Sequence, residues 1–198
     1  MSVKGSYIKF GGGGGTSIST AKLMKTGQTT SYRTGDDGDL QSGRSVDFFT
    51  LAENNVFGNT DRFTDLNGEQ VYTDGIVLDH STYNGTDILG YYKFDTSVDD
   101  YANQEIAVSS LSPASFSGWR IANKKEVENI MLPVGAGVFN YSPINYPTSG
   151  SIYCSTFVDV TSMYYFIANT GACDILTTVA PFLRVFPCRE FTLTELGL

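Results

Sequence analysis

Apolar positions along the chain fall into short runs set apart by polar, turn-rich stretches, and one run carries a clear helical period. Val127, Ile130 and Met131 recur at i, i+3, i+4 spacing after Asn123, and Pro133 ends the run. Asn123 is placed to cap this helix, with Glu126 three residues on and able to reach back to the cap's backbone N–H. Immediately upstream, Gly118-Trp119-Arg120-Ile121 holds the single tryptophan. A buried indole usually does no more than fill a core, so Trp119 is expected to plug the core beneath the helix. Trp119, Arg120, Asn123 and Glu126 are therefore read as structural. A second short helix is predicted between Asp99 and Leu111, capped by Asp99 or Asp100, with Ala102, Ile106 and Ser109 facing inward.

Elsewhere the pattern favours strands. Arg62-Phe63-Thr64-Asp65 and Gln70-Val71-Tyr72-Thr73-Asp74 flank Asn67-Gly68, the dipeptide that most strongly signals a hairpin, because both residues accept positive φ. Gly75 to Asp79 and Ile88 to Phe94 are two further strands, with Asn84-Gly85 turning between them. Phe48, Phe49, Leu51 and Phe57 add apolar weight without a period. After the Gly-, Pro- and Asn-rich loop that follows Pro133, three strands are expected: Ile152 to Val158, Met163 to Ala168 and Phe182 to Arg189. No internal repeat is visible.

The first part of the chain breaks this pattern. Gly11 to Gly15 form a run that a helix or strand interior tolerates poorly, and Thr26 to Leu40 are polar and short of core residues. Residues 1–45 read as an extended Gly-rich docking or oligomerisation arm that takes its order from a partner or sister subunit, and 46–198 as one globular domain. Asp36-Asp37-Gly38-Asp39 lacks the alternating oxygen ligands and closing Glu of a calcium loop, so a solvated turn is expected there. Aromatic content of 13% with 21 glycines fits strands and ordered loops better than a helical bundle. A net charge of -8 speaks against nucleic acid and against polybasic docking on anionic lipid, and no apolar run reaches the ~20 residues of a membrane span. The start of the chain has no apolar signal-peptide core, so synthesis and folding in a cytoplasm are expected.

Candidate chemistry is sparse. His80, the sole histidine, rules out a multi-histidine metal site and is expected at a strand end as a surface or hydrogen-bonded residue. Cys154, Cys173 and Cys188 form an odd set without CxxC spacing and are expected reduced and mostly buried. No P-loop, GxSxG, HExxH or dinucleotide fingerprint occurs, and no carboxylate pair stands out. What remains is Tyr141, Tyr146, Tyr153, Tyr164 and Tyr165 interleaved with Asn140, Asn145, Asn169, Ser155 and Thr156. Tyr with Ser, Gly and Asn is the mixture that antibody paratopes use, and it is also ordinary β-sheet content.

The order of these parts resembles the C-type-lectin-like superfamily, in the branch found at the C terminus of collagen-like bacterial adhesins and in bacteriophage tail and fibre proteins. Trp119-Arg120-Ile121-Ala122 with Glu126-Val127 stands where that branch has Trp-Arg-Leu-Pro followed by Glu-Leu, Ala122 replacing the proline. Tyr153-Cys154-Ser155-Thr156 stands for its Tyr-Trp-Ser-Ser, and Arg184-Val185 to Arg189 loosely matches its closing Val-Arg-x-Val-Arg. The likeness spans roughly residues 60 to 190, and Thr26 to Gly43 resembles the linker before such domains. It implies an α+β fold with two helices, antiparallel sheets and long loops behind an extended N-terminal arm. It also implies a non-enzymatic virion protein, a tail fibre, tip or head decoration, that binds a host glycan or surface protein and forms a homo-oligomer. The arm would dock on other virion proteins or sister subunits, and Tyr141, Tyr146, Tyr164, Tyr165 and Asn169 would line the binding face. The Glu-Pro-Asn, Gln-Pro-Asp and Trp-Asn-Asp motifs of calcium-dependent sugar binders do not occur, so no metal and no cofactor are expected. A receptor-free virion adaptor is the alternative. Further alternatives are a bacterial surface adhesin and an enzyme similar to formylglycine-generating enzymes, using Cys154 and Cys188.

Overall fold

A computed structural model describes residues 7–8, 18–19, 26, 28, 30–33, 36–38, 55–58, 61–83, 85–93, 101–131, 151–167, 172–177 and 184–198. Its strands in chain order are β1 (Tyr7–Ile8), β2 (Ile18–Ser19), β3 (Phe63–Thr64), β4 (Ile76–Asp79), β5 (Asp87–Tyr92) and β6 (Arg120–Ile121), then β7 (Ser151–Phe157), β8 (Met163–Ile167), β9 (Cys173–Leu176), β10 (Arg184–Val185) and β11 (Pro187–Thr192). Among the described residues, the α-helices α1 (Tyr101–Ser109) and α2 (Lys124–Met131) join these strands in a mixed α+β architecture. One sheet has the order β3-β4-β5-β11-β6, a second β10-β7-β8-β9, and β1 pairs with β2 on its own. Among the described residues all pairings are antiparallel except β10 with β7.

Successive residues of a strand point to opposite faces, and here both faces of β4 and β5 are covered. Val77, Leu89 and Tyr91 join a cluster with Val127 and Ile130 of α2, Ile152 and Phe166. Ile76, Leu78 and Ile88 join the other cluster, with Tyr101 and Val108 of α1, Trp119 and Phe191. Burial on two sides explains why these strands read as unbroken apolar runs. Trp119 is 1% exposed, as its composition demands, and its Nε1–H donates to Phe116 O at 2.8 Å. The α2 cap also forms as the sequence dictates: Glu126 N–H donates to Asn123 Oδ1 at 2.9 Å and Asn123 N–H donates to Glu126 Oε2 at 2.8 Å. Val127 and Ile130 are buried beneath it, while the Met131 side chain, Pro133, Asp99 and Asp100 lie outside the described residues.

Several expectations are corrected. The Asn67-Gly68 turn exists, with Gly68 at φ 85, but its flanks do not pair. The Asp65 carboxylate captures the backbone N–H groups of Asn67 and Glu69, at 2.8 and 2.9 Å, and β3 pairs instead with β4. Val71 is 64% exposed and Tyr72, half-buried against the core, takes a positive φ of 46, so Gln70 to Asp74 does not run as an extended strand, unlike the fully buried Ile76–Asp79. Helix α1 turns inward Tyr101, Gln104 and Val108, leaving Ile106 62% exposed and Ala102 and Ser109 at the surface. The large Tyr101 ring sets this orientation by packing edge-on against Phe157 at 5.0 Å. The single strand expected from Phe182 to Arg189 is two strands, since the chain leaves one sheet at Val185 and enters the other at Pro187. β9 was not foreseen; its burial pattern has no apolar face to announce it.

Candidate binding cleft and the networks that hold it

The region around α2 is set by a buried ion-pair cluster. Arg120 on β6 donates to both Glu126 oxygens at 2.7 Å, and to Glu190 Oε1 on β11 at 2.8 Å. Glu126 thus serves the cap and the guanidinium at once. The thiol of Cys188 also points at it, 3.7 Å from Oε2. Burial, opposed by the Arg120 guanidinium and reinforced by Glu126 and Glu190, pushes the Cys188 thiol well up. Burial likewise pushes up Cys154, so both stay thiols. They are free, in different sheets, and Cys154 spends its hydrogen on Tyr164 O. Neither arrangement presents the exposed thiolate that cysteine chemistry requires.

Against this frame lies part of the N-terminal stretch. Between Tyr153 and Phe157 the register of β7 on β8 shifts, which frees Ser155 and Thr156 from the ladder. Asp37 occupies the gap: its N–H donates to Ser155 O at 2.9 Å, and its carboxylate accepts from Ser155 Oγ at 2.7 Å and Thr156 Oγ1 at 2.6 Å. The Thr156 hydroxyl accepts in turn from Lys124 N–H at the start of α2, at 2.8 Å. Gln28 bridges the same elements, accepting from Phe157 N–H and donating to Asp36 Oδ2 at 2.9 Å. Asp36 Oδ2 also accepts from Tyr32 N–H and Arg33 N–H. A Cβ on Gly38 would collide with the Ser31 backbone, so this tight fold of the arm requires glycine. The expected solvated turn is thereby corrected: Asp36 and Asp37 are both 0% exposed, because hydroxyl and amide donors of β7 and the arm replace water. Asp39 lies outside the described residues. Gln28 and Asp37 are thus tied directly to this chain's own sheet, and Asp36 through Gln28.

Arm and sheet enclose a cleft of about 290 Å³. The arm lines it with Thr26, Gln28, Thr30 and Tyr32; the sheet contributes Thr156, Phe157, Val158 and Tyr164. Lys124 Nζ stands 3.9 Å from the centre of the Tyr164 ring, a cation–π contact that steadies the ring. Of the residues expected at a binding face, Tyr164 alone reaches this cleft among the described residues. Tyr165 is its neighbour on β8, hence on the opposite face, packed against the cluster that holds Trp119. Tyr141, Tyr146 and Asn169 lie outside the described residues. Reading by residue type missed Gln28 and the buried role of Asp37, and named Ser155 and Thr156 only as polar neighbours of the tyrosines. Two hydroxyls inside the apolar run from Ile152 to Phe157 were the available signal, since such groups need buried partners.

Comparison with protein-family models, with curated proteins and with solved structures returned no match for this chain. Its site must be judged on its own chemistry.

His80 is the other group with reactive chemistry, and its surroundings are sealed. It is 2% exposed, with Phe57 edge-on at 5.7 Å. Thr64 Oγ1 donates to Asp65 O at 2.9 Å, so it accepts from His80 Nε2–H at 2.8 Å, and Nδ1 keeps a buried lone pair with no partner. Burial, only partly opposed by Asp79 and Asp61, lowers its pKa to about 4, so the ring is neutral at pH 7. Asp79 next to it is engaged by Arg62, at 2.9 and 2.8 Å, rather than by the imidazole. Thr64 is 0% exposed, so the Thr64–His80 pair has no access to a substrate.

Proposed function

We propose that this chain is a non-enzymatic bacteriophage virion protein whose globular part is a C-type-lectin-like domain that binds a host-surface glycan or receptor. The observation that carries the reading is the cleft between arm and sheet, where the half-buried Tyr164 ring is held by Lys124 among threonine and tyrosine residues. Rings and hydroxyls in one concave place form a binding surface without a reactive group. The lectin-like assignment is supported by the two helices, the mixed α+β architecture and the Trp119–Arg120–Glu126 core described above. The virion assignment rests on the sequence resemblance. In it, residues ahead of Thr26 engage other virion proteins or a sister subunit, and the segment from Gln28 to Asp37 joins that extension to the domain.

The test is binding of the purified chain to intact host cells and isolated envelopes, against Tyr164→Ala. A loss of binding of about tenfold or more is expected, with the native fold retained by near-UV circular dichroism. Binding that is unaltered by Tyr164→Ala refutes this placement of the site.

A further inference from the structure

We infer that the cleft is a subsite for one neutral hexopyranose and that the arm is one of its walls, so that sugar binding requires the arm to be docked on β7. This deepens the reading above and rests on it.

The lining selects the ligand. No charged residue lines the cleft among the described residues, which disfavours phosphates, carboxylated sugars and cationic ligands, since these need a counter-charge when desolvated. One tyrosine comes from each side, Tyr32 from the arm and Tyr164 from the sheet. The side-chain hydroxyls of Thr30, Tyr32 and Tyr164 make no hydrogen bond among the described residues, and Thr26 Oγ1 only accepts, at 3.4 Å from Gln28 N. Unspent hydroxyls beside aromatic rings match a pyranose, which has an apolar C–H face and a rim of hydroxyls that both donate and accept. A volume of about 290 Å³ suits a single ring rather than an extended chain, being at the small end of ligand sites, about 300–1,000 Å³.

The geometry also ties the site to the arm. Four of the eight lining residues belong to the segment from Thr26 to Tyr32. That segment is held on the sheet by the Asp37 clasp on Ser155 and Thr156, and by the Gln28 bridge to Phe157 N–H. Neither Asp37 nor Ser155 lines the cleft. Opening the clasp therefore removes a wall without touching a sugar contact.

The experiment titrates the full chain with free methyl glycosides of glucose, galactose, mannose and N-acetylglucosamine, read by saturation-transfer NMR. A methyl sialoside serves as the charged comparison. At least one neutral glycoside is expected to bind, Tyr164→Ala to abolish the signal, and Asp37→Ala and Ser155→Ala each to weaken binding by about tenfold or more, a change of about 1.4 kcal/mol. Should Asp37→Ala fail to fold by near-UV circular dichroism, Ser155→Ala decides. No binding by any neutral glycoside, or preference for the sialoside, overturns the inference about the ligand. If cell binding nonetheless depends on Tyr164, the proposed function survives with a protein receptor. Glycoside binding that both clasp variants leave intact overturns the role of the arm.

Discussion

Replacing Glu126 by alanine is expected to be the most damaging single change near α2. The Arg120–Glu126 pair is almost wholly removed from water, with side chains 4% and 2% exposed. Deleting the carboxylate leaves a guanidinium with two of its three carboxylate contacts gone, and breaking such a buried pair costs about 3–5 kcal/mol. It also strips the Asn123 N–H of its acceptor at the helix start, the kind of loss that costs about 1–3 kcal/mol. Two circumstances pull the sum down. Glu190 keeps its contact at 2.8 Å and, at 16% exposed, reaches water, and losses within one network do not add. The net expectation is about 3–5 kcal/mol, a large part of the ~5–15 kcal/mol that holds a typical domain folded. Glu126→Gln keeps the shape and one acceptor and should lose less. The assay is urea unfolding at pH 7 with the slope held common, alongside Arg120→Met and the double variant Arg120→Met/Glu126→Leu. Because both charges leave together in the double variant, it should recover at least about 2 kcal/mol relative to the sum of its single changes. A loss below about 1 kcal/mol for Glu126→Ala, or additive behaviour in the double variant, refutes the reasoning.

Two further outcomes follow from buried titrating groups. His80 has a folded-state pKa of about 4 against 6.5 in the unfolded chain, so the unfolded chain takes up the proton first. Its contribution is fully present above pH 6.5 and is lost as pH falls toward 4, by about 3 kcal/mol at most. Stability measured from pH 7 to pH 4 should therefore fall less steeply in His80→Gln than in the parent, and equal slopes would sink the argument. Among the thiols, Cys173 is exposed, while Cys154 and Cys188 are buried with raised pKa values. Iodoacetamide at pH 8 should then label one cysteine in the native chain and three in urea, counted by mass spectrometry; rapid native labelling of Cys154 or Cys188 would contradict their burial.

What the sequence determined by itself is whatever a few neighbouring residues decide together. Asn123 and Glu126 are three apart, close enough to satisfy each other's backbone N–H groups before any tertiary contact exists, and so the start of α2 was legible. The apolar runs of β4 and β5 were legible because strands buried on both faces exclude polar residues. Tertiary structure decided the rest. Asp36 and Asp37 look like a hydrated turn until β7, more than a hundred residues later, supplies the hydroxyls that replace water; the Asp37 contacts span 118 and 119 positions. Helix α1 chose its buried face by where the Tyr101 ring finds Phe157, not by its own weak apolar pattern. Adjacent tyrosines at 164 and 165 are alike in sequence, but the pleat of β8 sends one to the cleft and the other to the core. Local hydrogen bonding and burial periodicity are written over spans of a few residues. The cleft is made by two distant segments meeting, and only the fold brings them together.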